Sequence, residues 1–369
     1  MNTKFGFMLQ PWTIRKTTLP NRIMFPAWQL NWANADGTIS EKLYRFYEQL
    51  SLGKCGIITI GGCNVSYSSF SRIHPRMIKL EEDKYIDGLK KACDLILENG
   101  SIPSVQLAHL GRQGTRQKED PILIAPSPIE SKIMRLINPD YQIREMNQDD
   151  IKRVKEDFVN AAGRVKKAGA PMLEILAGMG YLLAEFLSPE TNKRTDQYGG
   201  NVENRVRFIA EIITDIRSIV GEEMIISLRV SGNEFSKEGL VPADFKEILP
   251  LLENTGYDIL NISVGMLGSF SRVAPIAKEP PYIYISEEFS KYTGKVRCIC
   301  GAIRTPWQAN EIIKNNQAEL VAIGRGLIAD KNFVKKTLEG QEDKINFCIQ
   351  CNKCADVMNK KEFGICEVY

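Results

Sequence analysis

Residues 296–330 read VRCICGAIRTPWQANEIIKNNQAELVAIGRGLIAD. Two short apolar runs, Val296–Gly301 and Leu320–Gly324, bracket an amphipathic stretch, Trp307–Asn315. Runs this short, bounded by glycine and a polar turn, suit strands better than helices. Their near-continuous apolar character describes strands covered on both faces, as in a parallel sheet. The helical stretch between them supplies the crossover that parallel neighbours need.

The same unit recurs upstream. Strand candidates are Arg22–Trp28, Cys55–Cys63, Ile102–Ala108, Met172–Ala177, Met224–Ser231 and Asp258–Gly265, which with the two above make eight. Helical stretches follow most of them: Glu41–Leu52, Asp83–Glu98, Asp149–Lys167, Val202–Val220, Ala243–Asn254, Trp307–Asn315 and Lys331–Leu338. Eight such units predict an α/β protein with a (β/α)8 TIM barrel over residues 1–340. A doubly wound open sheet would carry G-x-G-x-x-G after its first strand, and none is present. The third unit is irregular. About forty residues rich in Pro, Ser and Arg separate its strand from its helix, a length typical of functional excursions. Residues 341–369 form a short C-terminal extension.

Composition narrows the function. The chain has 369 residues, a formal net charge of only +3 and no basic run interleaved with aromatics, so nucleic-acid binding is not expected. No apolar run reaches membrane-spanning length, and MNTKFGFMLQPW lacks the apolar core of a signal peptide. A cytoplasmic location without membrane contact is the expectation. The nine cysteines should then be thiols or ligands, not disulfides.

Four cysteines close the extension: Cys348, Cys351, Cys354 and Cys366, spaced C-x2-C-x2-C-x11-C. Three bunched thiolates with a distant fourth can wrap an iron–sulfur cube. A zinc site also uses four thiolates, though it more often pairs two C-x2-C knuckles. The other five, Cys55, Cys63, Cys93, Cys298 and Cys300, lie in or beside apolar stretches and read as small buried hydrophobes.

Chemistry in a barrel of this type sits at the C-terminal ends of the strands. Gly301 and Ala302 follow the seventh, and Gly324 and Arg325 follow the eighth; their backbone N–H groups and the guanidinium make a plausible phosphate cradle. Gln106 ends the third strand, and its amide can satisfy both a carbonyl and an N–H of a flat heterocycle. Arg229 in the fifth could neutralise charge developing on a reduced ring, or pair with an acid inside the barrel. Together these groups fit a phosphorylated, reducible ring such as FMN. Tyr181 follows the fourth strand, where a phenol could donate a proton or simply pack its ring.

The stretch Gly180–Phe208, GYLLAEFLSPETNKRTDQYGGNVENRVRF, closely resembles the signature of the old yellow enzyme family of FMN-dependent oxidoreductases. So do Leu19-Pro20-Asn21-Arg22-Ile23 with Pro26, the pair Gly61-Gly62, His109-Leu110-Gly111-Arg112-Gln113, and Ala322 to Asp330. The cysteine tail makes the chain similar to the [4Fe–4S] branch, with 2,4-dienoyl-CoA reductases and trimethylamine dehydrogenase. The resemblance implies that Pro26, Gly62, Gln106 and Arg229 hold the flavin ring. It puts Gly301, Ala302, Gly324 and Arg325 on the flavin phosphate, and Cys348, Cys351, Cys354 and Cys366 on the cluster. It makes Tyr181 the proton donor, while Arg194, Asp196, Asn204 and Arg205 read as structural.

The chain departs from the family at several points. Many members carry two hydrogen-bonding residues five and two positions before the tyrosine; here they are Leu176 and Met179. Trp28 is bulkier than the small polar residue often found near the first-strand flavin contact. These three side chains predict an apolar pocket for a bulky substrate. A histidine used as a second acid after strand six has no counterpart in Gly265-Met266-Leu267-Gly268; the only histidines are His74 and His109. Cluster-bearing relatives usually continue into a nucleotide-binding module, and this chain stops at Tyr369. The expected activity is reduction of an activated C=C bond, in an enoate, dienoyl thioester or enone. The alternatives are an amine dehydrogenase-like oxidation, or a redox-relay subunit. NAD(P)H or a separate electron-transfer protein would supply electrons, and homo-oligomerisation is left open.

Overall fold

In a computed structural model of the chain, the described residues are 3–69, 75–114, 122–137, 140–265, 282–355, 366 and 369. Eight parallel strands close into a barrel. They are β1 (Ile23–Phe25), β2 (Ile57–Asn64), β3 (Ile102–Ala108), β4 (Met172–Ala177), β5 (Ile225–Ser231), β6 (Ile259–Ser263), β7 (Val296–Cys300) and β8 (Leu320–Ala322). Each pairs with its neighbours in sequence order, and β8 pairs with β1 to complete the ring. The helices on the outside are α1 (Glu41–Leu52), α2 (Ile86–Glu98), α3 (Gln148–Lys167), α4 (Val202–Val220), α5 (Phe245–Leu252), α6 (Ile283–Phe289), α7 (Pro306–Lys314) and α8 (Phe333–Leu338).

Local chemistry sets several boundaries. Asn147 and Asp150 form a reciprocal capping box at the start of α3, and Thr305 and Gln308 do the same for α7 with Pro306 at its first turn. Strand β1 is shorter than its apolar run because Pro26 has no N–H to continue the ladder. Helix α5 starts later than predicted because Pro242–Asp244 form a tight 3-10 turn before it. The eighth unit holds two short helices, Arg325–Ala329 and α8. Between them, Asp330 accepts the N–H groups of Asn332 and Asn346 at 2.9 Å each. The second of these bonds ties the extension to the barrel. Helix α6 was not expected from the sequence pattern.

Two apolar clusters hold the barrel. The outward faces of the strands pack on the helices in one large core. Inward-facing Ile57, Met172, Ile225, Ile259 and Leu320 fill the bottom, where Ile14 and Leu19 of an N-terminal hairpin plug it. The layer above is polar: Glu174, Ser227 and Asn261 are fully buried there. Successive inward positions are two residues apart along a strand, so Gln106, Leu176, Arg229 and Cys300 form the next layer, at the mouth. The long excursion after β3 builds its own small core of Leu123, Met134 and Tyr141. Tyr141 donates its hydroxyl to the carbonyl of Arg112 at 2.5 Å, which fastens the excursion over the end of β3. Among the described residues no helix is long and apolar enough to cross a membrane.

Candidate active site

The expected flavin residues all lie at the C-terminal end of the barrel. Strand β2 shifts register between Ile60 and Cys63, and Gly61 there has φ +126°. A Cβ on Gly62 would stand 3.1 Å from Gln106 Oε1 and 3.3 Å from Ala108. The amide of Gln106 donates through Nε2 to Glu174 at 2.7 Å, which turns its oxygen toward that glycine. Across the mouth, Arg229 is almost fully buried. Its Nη1 reaches the Ala27 carbonyl only at 3.4 Å, and its Nε has no protein partner. An orphaned buried donor opposite a free amide oxygen fits the polar edge of a flavin ring.

The glycines at the last two strand ends make close approaches. A Cβ on Gly324 would stand 3.1 Å from the Trp28 ring and 3.5 Å from Pro26. Pro26, Trp28 and Gly324 therefore meet where β1 and β8 adjoin. Gly301 has φ +134°, and a Cβ there would come within 2.5 Å of the Tyr282 ring. Ala302 follows at φ +56°. Arg325 is placed between two sites: Nη1 bonds the Asn352 side chain, and the residue also lines the cysteine cavity. Its charge thus serves the cysteine loop as well as the turn after β8.

Tyr181 precedes a short helix, Leu182–Leu187, and is half-buried. Burial pushes its phenol up, while the Arg229 guanidinium pulls it back. The phenol is therefore a protonated donor at neutral pH. Leu176 is buried at the end of β4. Met179 has φ +62°, and its N–H is held by Ser231 Oγ at 2.8 Å. Neither side chain offers a hydrogen bond. His109 accepts the Gly111 N–H on Nδ1 at 3.1 Å and faces Ser68 Oγ through Nε2 at 3.0 Å. Burial, with a smaller contribution from Arg153, pushes this imidazole down to about 3, so it stays neutral. His74 and Met266–Gly268 lie outside the described residues. In the signature, Arg194 pairs with Asp196 and donates to the carbonyls of Pro126 and Met146. Arg205 donates to Leu187 and Gly200. Both arginines hold the loop after β4.

Cys348, Cys351, Cys354 and Cys366 line one cavity together with Arg325, Ile328 and Asn352. Burial pushes the Cys348 thiol up and Cys354 to about 11, with Arg325 opposing both shifts. Gln350 and Asn352 have φ near +59° and +58°, and the Gln350 N–H points to Cys348 Sγ at 3.4 Å. Left-handed residues of this kind turn backbone N–H groups into an anion-binding concavity, as in many iron–sulfur sites. Among the described residues no three Cys, His, Asp or Glu side chains are grouped to hold a single ion. Of the remaining cysteines, Cys300 alone is not fully buried.

Two buried polar residues escaped the sequence reading. Glu174 is one charged residue inside an otherwise apolar strand, MLEILA, and that exception was the available signal. Gln350 sits between two cysteines, buried with both amide atoms unpartnered within the protein.

Residues 8–344 match the family described as NADH:flavin oxidoreductase / NADH oxidase. The chain is 34% identical over 353 residues to an NADH oxidase from Thermoanaerobacter brockii, covering 95% of this chain and 53% of the relative. It is similar to a 2-naphthoyl-CoA reductase in complex with 2-naphthoyl-CoA (TM-score 0.89, 26% identity, 95% of this chain and 54% of that one). It is also similar to histamine dehydrogenase from Rhizobium sp. 4-9 (TM-score 0.83, 26% identity, 95% and 50%). The chain thus spans about half the length of these three proteins. With a closed (β/α)8 barrel and flavin-compatible strand ends, the chain belongs to the NADH:flavin oxidoreductase / NADH oxidase family and is a flavin-dependent oxidoreductase.

Proposed function

We propose that this chain reduces an activated C=C bond, with FMN at the barrel mouth and a [4Fe–4S] cluster in the cysteine loop. The carrying observation is the unpartnered Nε of buried Arg229 across the mouth from the Gln106 amide oxygen, with Tyr181 following the strand that ends beside the apolar Leu176. Bound FMN supplies hydride exchange at its N5 atom. Gln106 and Arg229 hold the ring's polar edge, Gly62 leaves room for its approach, and the turns at Gly301–Ala302 and Gly324–Arg325 receive its phosphate. Tyr181 gives its proton to the alkene carbon that does not receive hydride. Leu176, Met179 and Trp28 exclude water and favour a bulky, hydrophobic enoate, dienoyl thioester or enone.

Cys348, Cys351, Cys354 and Cys366 would bind the cluster, which stores and passes single electrons. Cys351 is exposed, and Ile349 and Tyr369 on the same cavity are 52% and 55% exposed. That exposure supports electron exchange with a separate protein. Reduction of the flavin by NAD(P)H alone is the competing route, and rapid anaerobic bleaching by NADH would favour it.

The similarity to histamine dehydrogenase supports a second reading, amine oxidation with electrons leaving through the cluster. The Arg229 charge at the mouth repels a cationic amine, so we favour alkene reduction. The deciding experiment is anaerobic purification with iron, zinc and flavin analysis, followed by two half-reactions. Reoxidation of the reduced protein by alkenes is expected. Reduction of the oxidised protein by amines would establish the second reading, and zinc without iron would remove the cluster. Failure of both half-reactions, with co-purification of a partner, would point to a redox-relay subunit.

A further inference from the structure

Glu174 is the most deeply buried carboxylate of the barrel interior, with no exposed surface. It faces Gln106 across the β3–β4 pairing and Ser227 across β4–β5. Oε1 accepts from Gln106 Nε2 at 2.7 Å. Oε2 accepts from Asn261 Nδ2 at 2.6 Å and from Ser227 Oγ at 3.1 Å. The two amide partners can only donate through these atoms, and each carboxylate oxygen has one. Both carboxylate oxygens are thus engaged as acceptors. Among the described residues no Lys or Arg forms an ion pair with it; the buried arginines Arg112, Arg217 and Arg297 are paired with other acids. Its direct partners are oriented neutral dipoles, and Arg229, one inward position further along β5, is a buried cation of the same interior.

This arrangement has two consequences for the group above. The Glu174 bond fixes which way round the Gln106 amide sits: nitrogen inward, oxygen toward Gly62. It also sets an acidic side chain beneath the mouth, one inward position below the Arg229 cation. Electrons arriving on a ring there add negative charge, and a nearby fixed anion resists that more strongly in a protein interior than in water.

We propose that Glu174 is a positioning residue for the flavin, presenting the Gln106 carbonyl oxygen to it and holding its reduction potential down. The inference rests on the flavin site proposed above. Two variants test it on the full chain loaded with FMN. Glu174→Gln keeps the volume and an acceptor for Gln106 but removes the charge. Its flavin midpoint potential should rise by about 30 mV, the equivalent of a tenfold change in the ratio of reduced to oxidised binding for a two-electron couple. Its FMN affinity should stay within about threefold of the parent. Glu174→Leu also removes the acceptor, so FMN should bind about tenfold more weakly. An unmoved or lowered potential in Glu174→Gln overturns the proposal. So does parental FMN affinity in a Glu174→Leu protein whose circular dichroism is unchanged. A residue that only braces the barrel would lower the melting temperature without shifting the potential. Failure of the parent protein to bind FMN would instead refute the flavin assignment, before either variant is read.

Discussion

Replacing Glu185 by Gln should stabilise the protein at alkaline pH and leave it nearly unchanged at acid pH. Glu185 follows Tyr181 by one helical turn and is essentially inaccessible. Its Oε1 accepts the Arg112 N–H at 3.0 Å and lies 3.9 Å from Arg112 Nε, while Oε2 has no partner. Burial pushes this carboxyl up to about 8, against the pull of Arg112. Its folded value thus lies above its unfolded one. The folded chain holds the proton more tightly, so the stabilisation is complete below about pH 4.5 and drains away as pH rises toward 8. A tenfold difference in proton affinity between the folded and unfolded chain corresponds to about 1.4 kcal/mol, which makes the loss on the order of 4 kcal/mol. A glutamine carries no such dependence and keeps an acceptor for Arg112. Urea denaturation of both proteins at pH 5, 6.5 and 8 reads the difference directly. The two should coincide within about 1 kcal/mol at pH 5, and the variant should lead by about 3–4 kcal/mol at pH 8. Parallel curves across that range would refute a buried carboxyl that holds its proton at this position.

Other expectations follow from the same geometry. Tyr181→Phe should slow reoxidation of the reduced flavin by alkene by about 10²–10⁴-fold while leaving its reduction intact; stopped-flow of the separate half-reactions checks this, and unchanged reoxidation removes the acid role. Gly301→Val would push a side chain into the Tyr282 ring and out of an allowed backbone region, so FMN should be lost on gel filtration even where the barrel remains folded. Cys354→Ala should lower iron to background with flavin content retained, since Cys354 is the most buried of the four cysteines; retained iron would break the ligand set. Installing Leu176→His and Met179→Asn together should raise turnover of a small cyclic enone by about tenfold or more, because two hydrogen-bond donors would then face developing oxygen charge.

The barrel was legible because its physics is local. A strand covered on both faces must be apolar throughout, and a crossover helix must show one apolar stripe, so strand and helix periods can be read from the chain. The ends of elements were less legible. Pro26 cut β1 short, Pro242 delayed α5, and α6 was missed. At the site, glycines and Arg229 could be placed at strand ends because register follows from residue count.

Sequence alone therefore determined the eight units, the mouth residues Gln106, Tyr181 and Arg229, and the spacing of the four cysteines. What it could not determine were contacts between strands far apart in the chain. Gln106 and Glu174 are 68 residues apart, and Glu174 and Asn261 are 87. Only closure of the barrel brings them to hydrogen-bond distance and makes one carboxylate the hub of a buried layer. Arg325 likewise reads as a phosphate ligand in the sequence. It meets Asn352 where the Asp330 bond to Asn346 ties the extension back to the barrel. Local pattern specifies which face of a strand a side chain occupies; which partner it meets there is decided by the ring as a whole.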